Sequence, residues 1–350
     1  MHLVFHFLPA FRIAAFLFAG AAAFSISASA RAETAIKLVL EWKLDATAAP
    51  FLVAIDKGYF KAEGLNVTVV EPISPQPSDI GANEAVRRIA AGDAEMGFGD
   101  MGALVRARAE EKPAPVKAVF VVYNKPGYAV IGRKSRGIQT PGDLEGKKVG
   151  MSPRDPTSAL WKVFVAASAI DAKKITTENI GMPVREPMLA AGQVDAVAAL
   201  SYYSYIDLID RGVPASDISV IYMSDYGVKL YGNAIMASEK FAQENPDALR
   251  GFLRAFAKGL KDTIAKPASA VETVLKRDAG LQKDAETRRL KMVIQENIQT
   301  PETKAQGYGG ADPRRLDEAI DQIAAVAEFK KKPKADDIFD ASFLPQRRGE

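Results

Sequence analysis

From residue 36 onward, short apolar runs rich in β-branched residues alternate with stretches of helical spacing, several of them closed by glycine. Strands that alternate with helices build βαβ units on a parallel sheet, which confines the chain to the α/β class. Residues 36–42, 67–71, 94–98 and 116–122 read as strands. Between them, residues 48–57 read as a helix with Pro50 in its first turn and Gly58 as its stop. Residues 83–91 read as a short helix closed by Gly92, and residues 101–110 as another. Pro72, Pro75 and Pro77 make an irregular loop. The pattern then repeats. Residues 128–134, 147–151, 194–200, 219–223 and 233–238 read as strands, 175–179 as a short extended piece, and 157–169 and 184–191 as helices. Beyond Asn245, a predicted N-cap followed by Pro246, the spacing is helical. Leu249, Phe252, Leu253, Phe256 and Leu260 fall on one helix face there. A length of 350 residues fits two domains.

Residue types that are absent narrow the chemistry. The chain has no cysteine, and its two histidines are His2 and His6. Residues 1–32 read as an export signal: Arg12 supplies charge, residues 13–24 are apolar, and Ala28-Ser29-Ala30 and Ala30-Arg31-Ala32 both match a cleavage site. The apolar run is shorter than the roughly 20 residues a membrane-spanning helix needs. Cleavage near Ala30 or Ala32 leaves a chain with neither residue type. A Ser-His-Asp triad, a histidine zinc helix and a thiolate metal site are then excluded. No cofactor and no metal are expected. Forty-six lysines and arginines against 43 acidic residues give a net charge of +3, which offers no footprint for nucleic acid.

Four blocks of sequence point to a family. The first is Val53-Ala54-Ile55-Asp56-Lys57-Gly58-Tyr59-Phe60-Lys61-Ala62-Glu63-Gly64-Leu65, within residues 41–65. The second runs from Ala90-Ala91-Gly92-Asp93 to Gly99, the third from Thr140-Pro141-Gly142-Asp143-Leu144 to Gly150, and the fourth from Leu189-Ala190-Ala191-Gly192 to Val197. In this order they resemble the periplasmic substrate-binding proteins of ABC importers. The branch is the thiamine-pyrimidine-synthase-like one, which includes sulfonate, nitrate and riboflavin binders. The resemblance covers about residues 36–340. It implies the two-lobed periplasmic binding protein fold (type II), with a ligand cleft between lobes joined by two crossing segments near 127–134 and 230–238. Lobe one would be residues 33–127 plus 237–350, and lobe two 128–236. The pyrimidine-synthesising enzymes of this family carry a cysteine-rich iron motif and a histidine, and this chain has neither. Pyrimidine binders often place a histidine before the first helix, where this chain reads Ala48-Ala49-Pro50.

Candidate site residues lie at strand carboxyl ends, where open α/β sheets bind ligands. Trp42 ends the first strand; its indole stacks on a flat ring or serves as ordinary core. Asp45, in the same turn, accepts from ligand N–H or O–H groups or caps the next segment. Gly99, Asp100 and Met101 join a strand to a helix start, where unpaired N–H groups gather. Asp100 would repel an anion there, so this corner suits a neutral or donor-bearing ligand edge, or is only a structural cap. Ser152 to Ser158 form the corresponding loop of the second half. Ser152 and Thr157 can meet ligand oxygens, and Thr157 or Ser158 can cap the helix. Arg154 can pair bidentately with a carboxylate, phosphate or sulfonate, or with Asp155. Ser201-Tyr202-Tyr203-Ser204-Tyr205 follows another strand. On a helix Tyr202 and Tyr205 would share a face and Tyr203 would point elsewhere, so at most two of the phenols reach a ligand; Tyr202 and Tyr203 are the expected contacts. Tyr226 and Tyr231 are further candidates.

The resemblance implies a monomeric periplasmic solute-binding protein that delivers a small aromatic or heteroaromatic ligand (pyrimidine-, flavin- or aromatic-acid-like) to an inner-membrane ABC permease by hinge closure. The alternatives are a sulfonate- or nitrate-type anion binder, an exported enzyme without a metal, or a sensor module on the same fold.

Overall fold

The computed structural model describes residues 1–4, 33–72, 83–153 and 155–345. The expected export signal (apart from its first four residues), Pro75, Pro77 and Arg154 lie outside the described residues. Glu33–Glu350 forms one compact unit.

Ten strands follow one another among the described residues: β1 (Thr34–Leu40), β2 (Leu65–Val70), β3 (Met96–Asp100), β4 (Val116–Val121), β5 (Tyr128–Arg133), β6 (Lys148–Met151), β7 (Thr176–Asn179), β8 (Ala196–Leu200), β9 (Ile218–Tyr222) and β10 (Asn233–Ser238). They form two five-stranded sheets, ordered β2-β1-β3-β10-β4 and β7-β6-β8-β5-β9. β1 runs parallel to β2 and β3, and β6 runs parallel to β7 and β8.

Purely parallel sheets are not what forms. β10 is antiparallel to β3 and β4, and β5 is antiparallel to β8 and β9. The reason is where each strand enters. The parallel strands end where the two sheets face each other. A strand arriving from the other sheet starts at that end and must run away from it. The register shows this: Asn233, the first residue of β10, faces Asp100, the last of β3, and Tyr128 of β5 faces Leu200 of β8. The expected crossings at 127–134 and 230–238 therefore coincide largely with sheet strands. The links outside both sheets are residues 122–127 and 223–232.

The helix Pro246–Ala265 anchors the first sheet. Leu249, Phe252, Leu253, Phe256 and Leu260 are all buried, as their spacing predicts. Phe256 packs 4.6 Å from Phe51 and 5.3 Å from Phe120, centroid to centroid. Each such side chain contributes about 2 kcal/mol by leaving water. Asn245 makes no side-chain cap. It sits at φ −133° between two helices, and its N–H is spent on Phe241 of the helix before. Gly58 ends the helix Ala49–Asp56 at φ +69°, a left-handed conformation that disfavours a side chain. The expected helix over 157–169 is two pieces, Pro156–Ala159 and Trp161–Ser168, parted at Leu160.

Candidate ligand-binding site

The carboxyl ends of β1, β6, β7 and β8 deliver their next residues into one cavity of about 930 Å³ between the two sheets. Small-molecule sites commonly occupy about 300–1,000 Å³. β1 supplies Glu41, Trp42 and Asp45; β6 supplies Ser152 and Asp155; β7 supplies Ile180 and Met182; β8 supplies Tyr202 and Tyr203. The helix Lys283–Met292 adds Glu286 and Arg289.

Aromatic rings form a continuous wall. Trp42 lies 6.4 Å from Tyr203, Tyr203 4.8 Å from Tyr202, Tyr202 5.9 Å from Tyr123, and Tyr123 5.5 Å from Phe98. Trp42 and Tyr203 are half-buried, while Tyr202 and Tyr123 are buried. Gly127, opening β5, makes room for this wall. A side chain there would bring its Cβ within 2.4 Å of the Tyr202 ring.

Asp45 is both cap and wall. One oxygen accepts the Thr47 N–H at 2.7 Å and its hydroxyl at 2.6 Å; the other accepts the Tyr203 hydroxyl at 2.7 Å. Arg289 stacks over the Tyr203 ring at 4.8 Å, donates to the Tyr202 carbonyl at 2.8 Å and pairs with Glu286 at 3.2 Å. Glu286 in turn accepts the Ala46 N–H at 2.8 Å. Glu41 accepts the Asp100 N–H at 3.0 Å and the Asn233 amide at 3.3 Å. Burial, and then the nearby Asp100 carboxylate, push Glu41 well above the usual carboxylate range.

The second half contributes a buried ionic group. Arg185 donates to Asp155 at 2.5 Å, to Glu186 at 2.8 Å and to the Ser204 hydroxyl at 3.3 Å. Ser204 also donates to Glu186. Burial opposes the Arg185 charge, but the two carboxylates outweigh it and hold the guanidinium firmly protonated.

The enclosed lining is acidic. Glu41, Asp45, Asp155, Glu186, Asp207 and Glu286 carry six carboxyl groups, against four cationic groups on Lys43, Arg185, Arg211 and Arg289. Arg211 at the rim is paired with Asp207 at 3.0 Å. Such a wall offers ring faces and acceptors to a ligand with N–H or O–H donors, and little to an anion.

Five of the predicted residues come together on this cavity: Trp42, Asp45, Ser152, Tyr202 and Tyr203. Four do not. Gly99 lies inside β3, where a Cβ would come within 2.8 Å of Ala85. Met101 is core. Asp100 is spent locally: it accepts the Ala103 N–H at 2.6 Å and the Tyr128 hydroxyl. Thr157 is fully buried beneath its loop, and the cap expected from it or Ser158 is made by Asp155, which accepts the Thr157 N–H at 2.8 Å. Tyr231 and Tyr226 also lie off the cavity, Tyr231 donating to Glu302 at 3.1 Å. Tyr205 packs instead with the second sheet's core.

Several residues escape the sequence pattern. Glu41 adjoins Trp42 and was findable by the same strand-end rule. Arg185-Glu186 is a charged pair inside an otherwise mostly apolar helix, Met182–Ala191, which is a weak signal. Glu286 lies 240 residues from the turn it contacts and Arg289 lies 87 from Tyr202, and nothing local marks them.

The family model described as NMT1/THI5 like matches residues 45–270. The chain belongs to that family. Among its relatives, the formylaminopyrimidine-binding protein of Halalkalibacterium halodurans is 25% identical over 312 residues, covering 87% of this chain and 89% of its own. A 4-amino-5-hydroxymethyl-2-methylpyrimidine phosphate synthase of Aspergillus parasiticus is 26% identical over 249 residues, 68% of this chain and 69% of its own. The periplasmic aliphatic sulphonate binding protein SsuA from Escherichia coli superposes with a TM-score of 0.68 at 16% identity, over 90% of this chain and 95% of that one. This NMT1/THI5-like chain thus has the two-lobed periplasmic binding protein fold, with the aromatic, acidic cavity between its lobes.

Proposed function

We propose that this chain is an exported solute-binding protein that passes a small heteroaromatic ligand rich in N–H donors to an ABC permease. The observation that carries this is the pairing of an aromatic wall, from Trp42 to Phe98, with carboxyl groups in modest excess of cationic side chains in one cavity. The pyrimidine-binding relative supports the ligand class. Lobe one is taken as residues 33–127 and 237–350, lobe two as 128–236. The ligand favours the closed state because it touches both lobes, and closure shapes the face offered to the permease. The protein acts as a periplasmic monomer and performs no catalysis. The synthase relatives favour a second reading, in which the ligand is consumed. Against it stand the absence of cysteine and the confinement of histidine to His2 and His6.

The test is a calorimetric and thermal-shift panel on the ligand-stripped protein: an aminopyrimidine, riboflavin, benzoate, ethanesulfonate and nitrate. A ligand at about 100 times its Kd adds about 2.7 kcal/mol of stability. A shift confined to the aminopyrimidine, with the compound recovered unchanged, is the expected result. A shift with ethanesulfonate or nitrate alone refutes the ligand class. Recovery of an altered compound replaces the transport role with the enzymatic one.

A further inference from the structure

The two links between the sheets, residues 122–127 and 223–232, are gripped from outside the cleft by a single side chain. Arg315 lies in the first turn of the helix Pro313–Ala324 and does not line the cavity. Its guanidinium donates to the carbonyl of Asn124 on the first link at 2.8 Å. It donates also to the carbonyls of Lys229 and Leu230 on the second link, each at 2.9 Å. A third direction pairs it with Glu302 at 2.8 Å, and its plane lies 3.8 Å from the centroid of the Tyr231 ring. A guanidinium, with five donors in a fixed planar fork, can hold three carbonyls on the two links and a carboxylate at once; an ammonium has three donors, too few for all four.

The surroundings fix the fork in place. Asp312 caps the helix and accepts the Arg315 N–H at 3.1 Å. The Tyr231 hydroxyl accepts the Asp312 N–H at 2.8 Å. Gln322, two turns on, takes the Lys229 N–H at 2.9 Å and donates to Gly227 at 2.7 Å. The first link is also held by Asn297, fully buried, whose amide donates to the Lys125 carbonyl at 3.0 Å. All of these holds come from the C-terminal helices. On the far side of the grip the links are tied to each other by Lys125 and Asp225 at 2.8 Å, and to the second sheet's elements by the Ser201 N–H, which donates to the Gly127 carbonyl at 2.8 Å, and by Tyr226 against Phe164.

We infer that Arg315 is a positioning residue for lobe closure. It clamps both links to lobe one together with Asn297 and Gln322, so that the bending is confined to the parts of the links beyond Lys125 and Gly227, and it thereby fixes the axis about which lobe two turns. This rests on the hinge-closure reading of the cleft. Arg315 touches no ligand, so its effect on binding passes through the population of the closed form.

The native chain has no cysteine, which makes a two-label distance measurement direct. Lys61→Cys and Lys173→Cys place one spin label on an exposed position of each lobe. Interlabel distances are read by pulsed electron resonance, with and without an aminopyrimidine, well below each variant's Tm. Arg315→Ala is expected to broaden the distribution and shift it to longer distances. Arg315→Lys is expected to fall between, and exposed Arg314→Ala to match the parent. A merely structural role for Arg315 would lower Tm and leave the distribution unchanged; that outcome overturns the inference. Should Arg315→Ala fail to fold, Arg315→Lys gives the same reading. A parent distribution that ignores the aminopyrimidine and yet broadens in Arg315→Ala would keep the clamp and refute ligand-driven closure by that compound. One that neither moves with the compound nor changes in the variants would refute both.

Discussion

The Tyr203 hydroxyl donates to Asp45 at 2.7 Å across 158 positions of sequence, joining the turn after β1 to the helix after β8. One lobe's strand end is thus tied to the other's through a residue that also faces the cavity. The two partners are not equivalent. Tyr203→Phe removes one hydrogen bond and leaves Asp45 with both Thr47 contacts, so it should cost about 1 kcal/mol. Asp45→Ala removes the cap of the turn Ala46–Ala48 and strands the phenol, and should cost about 2–3 kcal/mol. Urea unfolding of both variants checks the order; equal losses would show that the interlobe bond, not the cap, dominates.

Trp42 separates site from core. It is half-buried and stands on the cavity, so Trp42→Ala should abolish the ligand-induced rise in Tm while changing the free protein little. Phe256, buried among Phe51 and Phe120, should behave oppositely: Phe256→Ala costs about 3–5 kcal/mol. Thermal melts with and without an aminopyrimidine decide it. A Trp42→Ala protein that still gains the full shift would move the ligand elsewhere in the cleft.

What could be read from the sequence was whatever depends on near neighbours. The strand-end rule placed Trp42, Asp45 and the tyrosines because a strand's last residues must emerge at the sheet's edge. The same rule misplaced Asp100 and Met101. Asp100 folds back onto its own helix, and Met101 turns into the core, which no local pattern distinguishes from an outward turn. The two antiparallel strands, β5 and β10, look like any others in sequence; their direction follows from the sheet they come from. Tyr203 stands beside Tyr202 on the cavity wall, whereas helical periodicity alone pairs Tyr202 with Tyr205 instead.

Arg185 is buried between two carboxylates, and removing it should be severe. Arg185→Met leaves Asp155 and Glu186 without a counter-charge and should cost about 3–5 kcal/mol. Neutralising the partners as well, in Arg185→Met/Asp155→Asn/Glu186→Gln, should recover part of that loss. Chemical denaturation of the single and triple variants tests it. A triple variant less stable than the single one would show that shape and hydrogen bonding outweigh charge in this group.

Asp100 gives stability an unusual pH dependence. It is buried beside Glu41, and burial above all raises its carboxyl from the ordinary value to about 6, the Arg106 guanidinium at 3.8 Å opposing the rise. A carboxyl raised in the folded state prefers its proton there. Its contribution is therefore fully present below the unfolded value near 4 and is lost as pH climbs through about 6. The difference between the two values limits the loss to about 3 kcal/mol. Asp100→Asn can keep the cap to Ala103 and carries no proton to lose. Its stability relative to the wild type should rise between pH 4 and pH 7.5, and Glu41, relieved of a neighbouring negative charge, should add to the gain. Unfolding free energies of the two proteins across that range measure it. A difference that stays flat with pH would mean that Asp100 is ionised in the fold at every pH tested, with Arg106 holding it charged.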